Sequence, residues 1–123
     1  RVWNLKVGRG ALLDVQFLVQ WLQLRFQVWE PNLLDALDQL LALSFIGKAD
    51  WDTLAKAARF FFGLEMARDL VTDQDSARIS EQSPDLPLTA EILGFNSVKD
   101  LLNYYEETTK HIREIFDRWF PSA

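Results

Sequence analysis

The residues best suited to chemistry lie near the amino end, where two glycines flank a basic side chain. Gly8, Arg9 and Gly10 precede a long apolar run, and Lys6 lies just before them. The first backbone N–H groups of a helix are unpaired, so with nearby cations they can bind an anion. The segment is too short for a phosphate-binding glycine-rich loop. A hinge is therefore the favoured interpretation, with anion binding as the alternative.

Acidic residues form a second candidate site. Glu65, Asp69 and Asp73 are spaced i, i+4, i+8, which places them on one stripe of a helix. A stripe of this kind is usually a solvated face. Glu65 differs because three consecutive phenylalanines lie just before it in the sequence. A carboxylate beside such an apolar stretch needs a partner, so we expect it to pair with an arginine. The candidate partners are Arg9, Arg25 and Arg68.

The remaining residue types indicate no catalytic centre. The chain has one histidine and no cysteine. His111 follows Glu107 by four positions, which is a common helical pair, and a metal site needs further ligands. We predict that His111 is exposed. We further predict no catalytic residue, no metal site and no cofactor bound within these residues.

Composition restricts the possible partners. The 123 residues suit one domain, and 13 basic residues among 18 acidic ones give a net charge of -5. A nucleic-acid surface needs clustered cations, so we expect no nucleic-acid partner. No apolar run reaches about 18 residues, so no membrane partner is expected.

The lack of cysteine fits a cytoplasmic location. Because the chain does not begin with methionine, it reads as part of a longer protein.

The long apolar run predicts a helix at the centre of the fold. Four glutamines share one narrow face at i, i+4, i+7, i+11, and most of the remaining surface is apolar. A helix that is apolar on most sides must be covered on several of them. The amides form either a polar seam at the solvent or a set of bonds to another domain. These glutamines are Gln16, Gln20, Gln23 and Gln27.

Helical periodicity and helix ends predict an all-α fold, an antiparallel bundle of four long helices plus one short helix. Asn32, Asp50 and Ser97 are the expected N-caps, and Gly47 is expected to end the second helix. The predicted spans are 10–28, 33–46, 51–74, 87–93 and 98–119, with 74–87 as the one long loop.

The first residues differ from the rest in pattern. Residues 1–7 alternate between apolar and polar types, which predicts an extended segment from a sheet that lies upstream. We therefore divide the chain into 1–9, a linker or strand remnant of an upstream domain, and 10–123, the helical bundle.

One family shares the motif at the start of the bundle. The stretch from Lys6 to Gln20 resembles the Lys-x-Gly-Arg-Gly-Gly-Ile-Arg-Glu-Ile-Glu-Phe-x-Val-Gln segment of glutamine synthetase adenylyltransferases. There it opens the helical domain that follows a nucleotidyltransferase core, and related uridylyltransferases carry a similar segment. Further matches are Arg59-Phe60, Glu65, Leu93-Gly94-Phe95, Ile115-Phe116 and Phe120.

Several charged positions of the family motif are altered. Ala11 replaces the second glycine of the pair, Leu13 replaces an arginine, and Asp14 and Gln16 replace glutamates. Met66 and Ala67 stand where the family has histidine and arginine. The candidate residues for domain contact or anion binding are Lys6, Gly8, Arg9, Gly10, Asp14, Gln16 and Glu65.

The resemblance implies a role within a larger enzyme. The family's catalytic core carries Gly-Ser and Asp-x-Asp signatures for metal and nucleotide, and this chain has no counterpart. It implies an upstream nucleotidyltransferase domain that uses ATP and Mg²⁺, with glutamine synthetase as protein substrate. The chain alone is expected to be inactive. The alternative is a free-standing interaction module that binds through the glutamine stripe or through Trp29, Trp51 or Trp119.

The retained arginine of the motif gives a first testable prediction. We expect Arg9→Ala to weaken binding of this chain to the upstream core without unfolding the bundle, because the guanidinium lies in the turn that joins the two. Binding between separately produced parts, with circular dichroism as the folding control, measures the effect. Unchanged binding would argue against a contact at Arg9.

Overall fold

Five helices and one two-stranded ribbon make up the fold. We describe it from a computed structural model, which covers residues 2–4, 8–72 and 78–121. The all-α class is confirmed. The description as four long helices plus one short helix is not confirmed in full, because α2 has only 10 residues whereas α3 has 24; α4, with 7 residues, is the predicted short helix. The elements are β1 (Val2–Asn4), α1 (Leu12–Phe26), α2 (Leu33–Ala42), α3 (Lys48–Val71), β2 (Arg78–Ser80), α4 (Leu86–Ile92) and α5 (Val98–Trp119).

The central helix is α3, and the expectation that α1 would be central is wrong. α3 packs against α1, α2, α4 and α5. Three of its small residues, Ala55, Ala57 and Ala58, are buried, so neighbouring helices can approach its backbone closely. α1 buries one face and leaves apolar side chains on the other side in solvent. These exposed side chains are Leu13, Phe17 and Leu24.

Two predicted N-caps are confirmed. The Asn32 side chain accepts a hydrogen bond from the Asp35 N–H at 3.0 Å, which caps α2. Ser97 caps α5 in the same way through the Asp100 N–H at 3.1 Å. Both bonds span three residues, so the sequence contains all the information they need. The predicted limits of α5 are also confirmed.

The junction between α2 and α3 differs from the prediction. α2 ends at Ala42 because Ser44 adopts a left-handed conformation with φ of 62°. The N–H groups of Ser44 and Phe45 then bond to the carbonyls of Leu41 and Leu40, at 3.0 and 2.9 Å. This is the hydrogen-bond pattern of a Schellman motif, which usually has glycine where Ser44 stands.

Because α2 ends early, two further predictions at this junction are wrong. Gly47 does not end α2 but is the N-cap of α3, with φ of -75°. Asp50 is not an N-cap but lies in the first turn of α3, where its carboxylate binds Arg118 of α5.

The ribbon lies partly in the predicted long loop. β1 and β2 are antiparallel, with Trp3 opposite Ile79. The loop prediction is therefore wrong at residues 78–80, while 73–77 lie outside the described residues. Extended structure at residues 2–4 is confirmed, and β1 has a partner within this chain, β2. Ile79 is only 2% exposed, so it anchors the ribbon to the core.

A buried arginine connects the ribbon and α4 to the central helix. The Arg68 side chain is buried near the end of α3 and pairs with Asp85, the residue before α4. It also donates to the Arg78 carbonyl of β2 at 3.3 Å. In the part of the chain that is described, no helix has both the length and the apolar character needed to cross a membrane.

The burial of Ile79 gives a stability prediction. We expect Ile79→Ala to lower the free energy of unfolding by roughly 2–4 kcal/mol, because it leaves a cavity under the ribbon. Denaturant unfolding followed by circular dichroism measures this change.

The matched control is Ile92→Ala, at a position that is 46% exposed in α4. Its effect should stay within about 0.5 kcal/mol. Equal effects of the two substitutions would show that Ile79 is not part of the core.

Candidate functional site

The turn before α1 is held by hydrogen bonds on both sides. The Gly8 N–H donates to the Asn4 carbonyl at 3.0 Å, and the Ala11 N–H donates to the Gly8 carbonyl at 2.9 Å. Arg9 is exposed at the tip of this turn. Lys6 lies outside the described residues. In the described residues, the predicted hinge from Gly8 to Gly10 is a hydrogen-bonded turn that leads into α1.

Gly10 brings this turn against α5. Its φ is 77°, and a Cβ atom added here would lie 2.3 Å from the Thr109 carbonyl oxygen. Both the conformation and the space require glycine. The amino end of α1 is thus fixed on the middle of α5.

Asp14 reinforces the same contact. Its Oδ2 accepts hydrogen bonds from the Gly10 N–H at 2.7 Å and from Arg113 of α5 at 3.1 Å. The Asp14 carboxylate takes one of the N–H groups that an external anion would use. This geometry argues against the use of the Gly10 N–H group by an external anion.

Arg113 is a site residue that sequence reasoning missed. Its guanidinium also pairs with Asp117 at 3.3 Å and lies 4.5 Å from the centre of the Phe116 ring. Its buried Nε has no hydrogen-bond partner in the structure. Asp14 and Arg113 are 99 positions apart, so no local pattern could have joined them.

Two predicted site residues come together between α1 and α3. Gln16 and Glu65 line an open groove of about 510 Å³, and both are half-buried. Apolar side chains of both helices and one further acid complete the lining. These are Leu12, Leu13, Phe62, Met66 and Asp69. We call this the α1–α3 groove.

Two of the arginines proposed as partners of Glu65 have other contacts. Arg68 binds Asp85, and the Arg25 guanidinium lies 5.5 Å from the centre of the Trp21 ring. Asp69, the next acid of the predicted stripe, is exposed, as expected for a solvated face. Asp73 lies outside the described residues.

The glutamine stripe does not form one surface. The Gln23 side chain donates to the carbonyls of Val28 at 3.1 Å and Glu30 at 2.7 Å, so it holds the turn after α1. Gln27 follows α1 in a left-handed conformation, and Gln20 is exposed. Only Gln16 lines the groove.

The exposed side of α1 is instead largely apolar. Leu13, Phe17, Gln20 and Leu24 are spaced i, i+4, i+7, i+11 and are all exposed. We call this set the outer stripe of α1. On α3, exposed Met66 faces the same groove as Leu13. An apolar helix face that stays in solvent is typical of an interaction surface.

The surface between α3 and α5 carries charged groups without a metal-type arrangement. His111 is exposed, as predicted, with its Nε2 3.5 Å from Glu107. A hydrogen bond from Lys56 to Asp52, together with the charge of that carboxylate, raises the pKa of Lys56. Among residues 2–4, 8–72 and 78–121, no cluster of three or more histidine or acidic side chains could hold a metal.

Fold and site together define an all-α domain with exposed apolar side chains on its first helix. A family model described as GlnD PII-uridylyltransferase matches residues 2–120. The chain belongs to this family.

Curated relatives of the chain share one name, bifunctional glutamine synthetase adenylyltransferase/adenylyl-removing enzyme. The enzyme of Rhodopseudomonas palustris strain HaA2 is 29% identical over 95% of this chain, and that of Streptomyces coelicolor is 31% identical over 95%. The enzyme of Xanthobacter autotrophicus is 33% identical over 98%. The resemblance to adenylyltransferases is therefore confirmed. The chain spans only 12–13% of the length of these relatives. No solved structure matches.

The fit of Gly10 against α5 gives a prediction for the site. We expect Gly10→Ala to lower the free energy of unfolding by about 2–3 kcal/mol, since it combines backbone strain with a clash against a carbonyl. Thermal or denaturant unfolding provides the measurement.

Gly47→Ala is the matched control. Gly47 has negative φ, and an added Cβ would meet no atom within 4 Å. The weaker N-cap of alanine is offset by the lower entropy of the unfolded chain, so we expect almost no change. A Gly10→Ala variant as stable as Gly47→Ala would contradict the described contact with α5.

Proposed function

We propose that this chain is the helical, non-catalytic domain of a nucleotidyltransferase of the glutamine synthetase adenylyltransferase type. In this proposal the domain packs on the catalytic core and helps to position glutamine synthetase for transfer or removal of AMP. ATP and Mg²⁺ bind to the core, outside these residues, and the enzyme acts in the cytoplasm as part of nitrogen regulation. The observation that carries the proposal is the family match over residues 2–120.

The shared name of the relatives and their greater length support the proposal that the chain is one domain of a larger enzyme. The Rhodopseudomonas palustris relative aligns over 95% of the chain, yet the chain covers only 12% of that protein. A domain that forms such a small part of an enzyme needs a surface to contact the remainder. The outer stripe of α1 and the α1–α3 groove are suited to that role.

The contact surface combines apolar area with polar groups. If Leu13, Phe17 and Leu24 lost their remaining exposure, each would contribute roughly 1 kcal/mol to docking. Gln16, Glu65 and Asp69 in the groove could then fix the orientation of the bound partner, because buried polar groups need specific partners.

The amino end of α1 is suited to transmit that orientation. Gly10 and Asp14 fix this end of α1 on α5. A Cβ atom added to Gly10 would lie 2.3 Å from the Thr109 carbonyl oxygen, and the Asp14 carboxylate binds Arg113. A core that docks on α1 would therefore be placed in a defined way relative to α5. This is how a non-catalytic bundle could position a protein substrate.

The reading frame of the parent gene tests the link to catalysis. We expect a Gly-Ser signature followed by Asp-x-Asp immediately upstream of these residues. If neither is encoded there, the catalytic link is lost, and the free-standing interaction module becomes the better description. Trp29, which is exposed in the turn after α1, would then be the first residue to test.

A charge on the outer stripe tests the docking surface in the full-length protein. Leu13 is 52% exposed in the first turn of α1, where an acid does not disfavour the helix. We expect Leu13→Glu to lower the rate of AMP transfer to glutamine synthetase about tenfold, which corresponds to a rise of about 1.4 kcal/mol in the activation free energy. Incorporation of label from ATP into glutamine synthetase measures this rate.

Leu88→Glu is the matched control, since Leu88 is 49% exposed in the first turn of α4. We expect its activity to stay within about twofold of the unmodified enzyme. Equal activity of both variants would argue against docking through α1. A full-length protein that modifies glutamine synthetase in neither direction would overturn the proposed function itself.

A further inference from the structure

A second pocket lies near the carboxyl end of α1 and shares no residue with the α1–α3 groove. It has a volume of about 330 Å³ and is bounded by α1, the α2–α3 junction and α5. Four of its lining side chains are aromatic, namely Trp21, Phe26, Phe45 and Trp119. Arg25 and Asp50 are its charged members.

The rings are arranged around an arginine. Phe26 and Phe45 are parallel, with centroids 4.0 Å apart, and Trp21 lies 6.5 Å from Trp119. The Arg25 guanidinium is 5.5 Å from the Trp21 ring centre and 5.7 Å from that of Phe26. A planar cation held against aromatic rings is oriented for stacking and for paired hydrogen bonds to an anion.

The charge of the pocket favours an anionic ligand. Asp50 is already bound by Arg118, whereas Arg25 has no carboxylate within ion-pair distance in the described part of the chain. The pocket is therefore positive, although the chain as a whole has a net charge of -5. Exposed cations also lie beside aromatic rings in the pocket of Lys56 and Arg59, so a role in ligand binding depends here on the position of Arg25 over the rings of Trp21 and Phe26.

We propose that this pocket binds a nucleotide, with the base against the aromatic rings and the phosphate on Arg25. The rings offer stacking to a flat heteroaromatic base. The guanidinium offers two parallel N–H groups to phosphate oxygens. The pocket size lies at the small end of the range for ligand sites, which suits a mononucleotide. The inference does not depend on docking to a catalytic core.

Indole N–H signals in NMR spectra of the purified chain test the proposal with AMP as the probe. Trp21 and Trp119 should show saturable shifts. Trp51 serves as an internal control, because its N–H donates to Asp38 at 3.1 Å and it does not line the pocket. Absence of saturable shifts at Trp21 and Trp119 up to millimolar AMP would overturn the proposal.

Fragments of the ligand separate its two groups. We expect adenosine, which lacks the phosphate, and ribose 5-phosphate, which lacks the base, each to bind at least about tenfold more weakly than AMP. Ribose 5-phosphate that binds as well as AMP would rule out recognition of the base. Adenosine that binds as well as AMP would rule out recognition of the phosphate.

Arg25→Gln tests the cation directly, with Arg59→Gln as the matched control at another exposed helix position. Loss of a charge-assisted hydrogen bond should raise the Kd for AMP about tenfold in Arg25→Gln. Arg59→Gln should leave it unchanged. If Arg25→Gln is folded by circular dichroism and binds AMP as the unmodified chain does, the assignment of the phosphate to Arg25 is wrong and the proposal fails.

Discussion

Close packing around α3 is the constraint on which the rest of the fold depends. This helix contacts α1, α2, α4 and α5, so its buried side chains spread over more than one side of the helix. Buried alanines at positions 55, 57 and 58 let the backbones of its neighbours come near, while Phe61 and Leu64 fill the space between them. The remaining helices can then be amphipathic, because each needs to bury only the side that faces α3. α5 shows this most clearly, with Leu101, Tyr105, Ile112 and Ile115 buried at helical spacing.

Arg68 is the charged exception within this core. A guanidinium this buried requires partners, and it finds the Asp85 carboxylate and the Arg78 carbonyl. The two partners lie on either side of the turn that follows β2, so one side chain attaches both the ribbon and α4 to α3. Pairing of β2 with β1 then brings the amino end of the chain to the same part of the bundle. Asn4, the last residue of β1, in turn accepts the hydrogen bond that begins the turn containing Arg9.

The family motif combines two physical roles in one stretch of α1. Gly10 and Asp14 face α5 and fix the helix in place, through Thr109 and Arg113. Leu13 and Phe17 on the same helix are each about half exposed, and the Phe17 ring packs against Phe116 and Phe120. Gln16, which replaces a family glutamate, lines the groove with Glu65. Within this stretch, Gly10 and Asp14 thus hold the helix on α5, whereas Leu13 and Gln16 line the groove.

The sequence by itself determined those structural features that depend on residues close together in the chain. The helical class, the caps at Asn32 and Ser97, the limits of α5 and the family motif all follow from patterns that span a few positions. Tertiary structure decided which helix is central, because amphipathicity alone does not show what covers α1. It also decided that Ile79 forms a buried strand and that Asp14 meets Arg113. The left-handed Ser44, which shortens α2, belongs with these findings, since serine carries no strong local signal for that conformation. The position of α3, the burial of Ile79 and the pairing of Asp14 with Arg113 all depend on contacts between residues far apart in the chain, and no local pattern encodes such contacts.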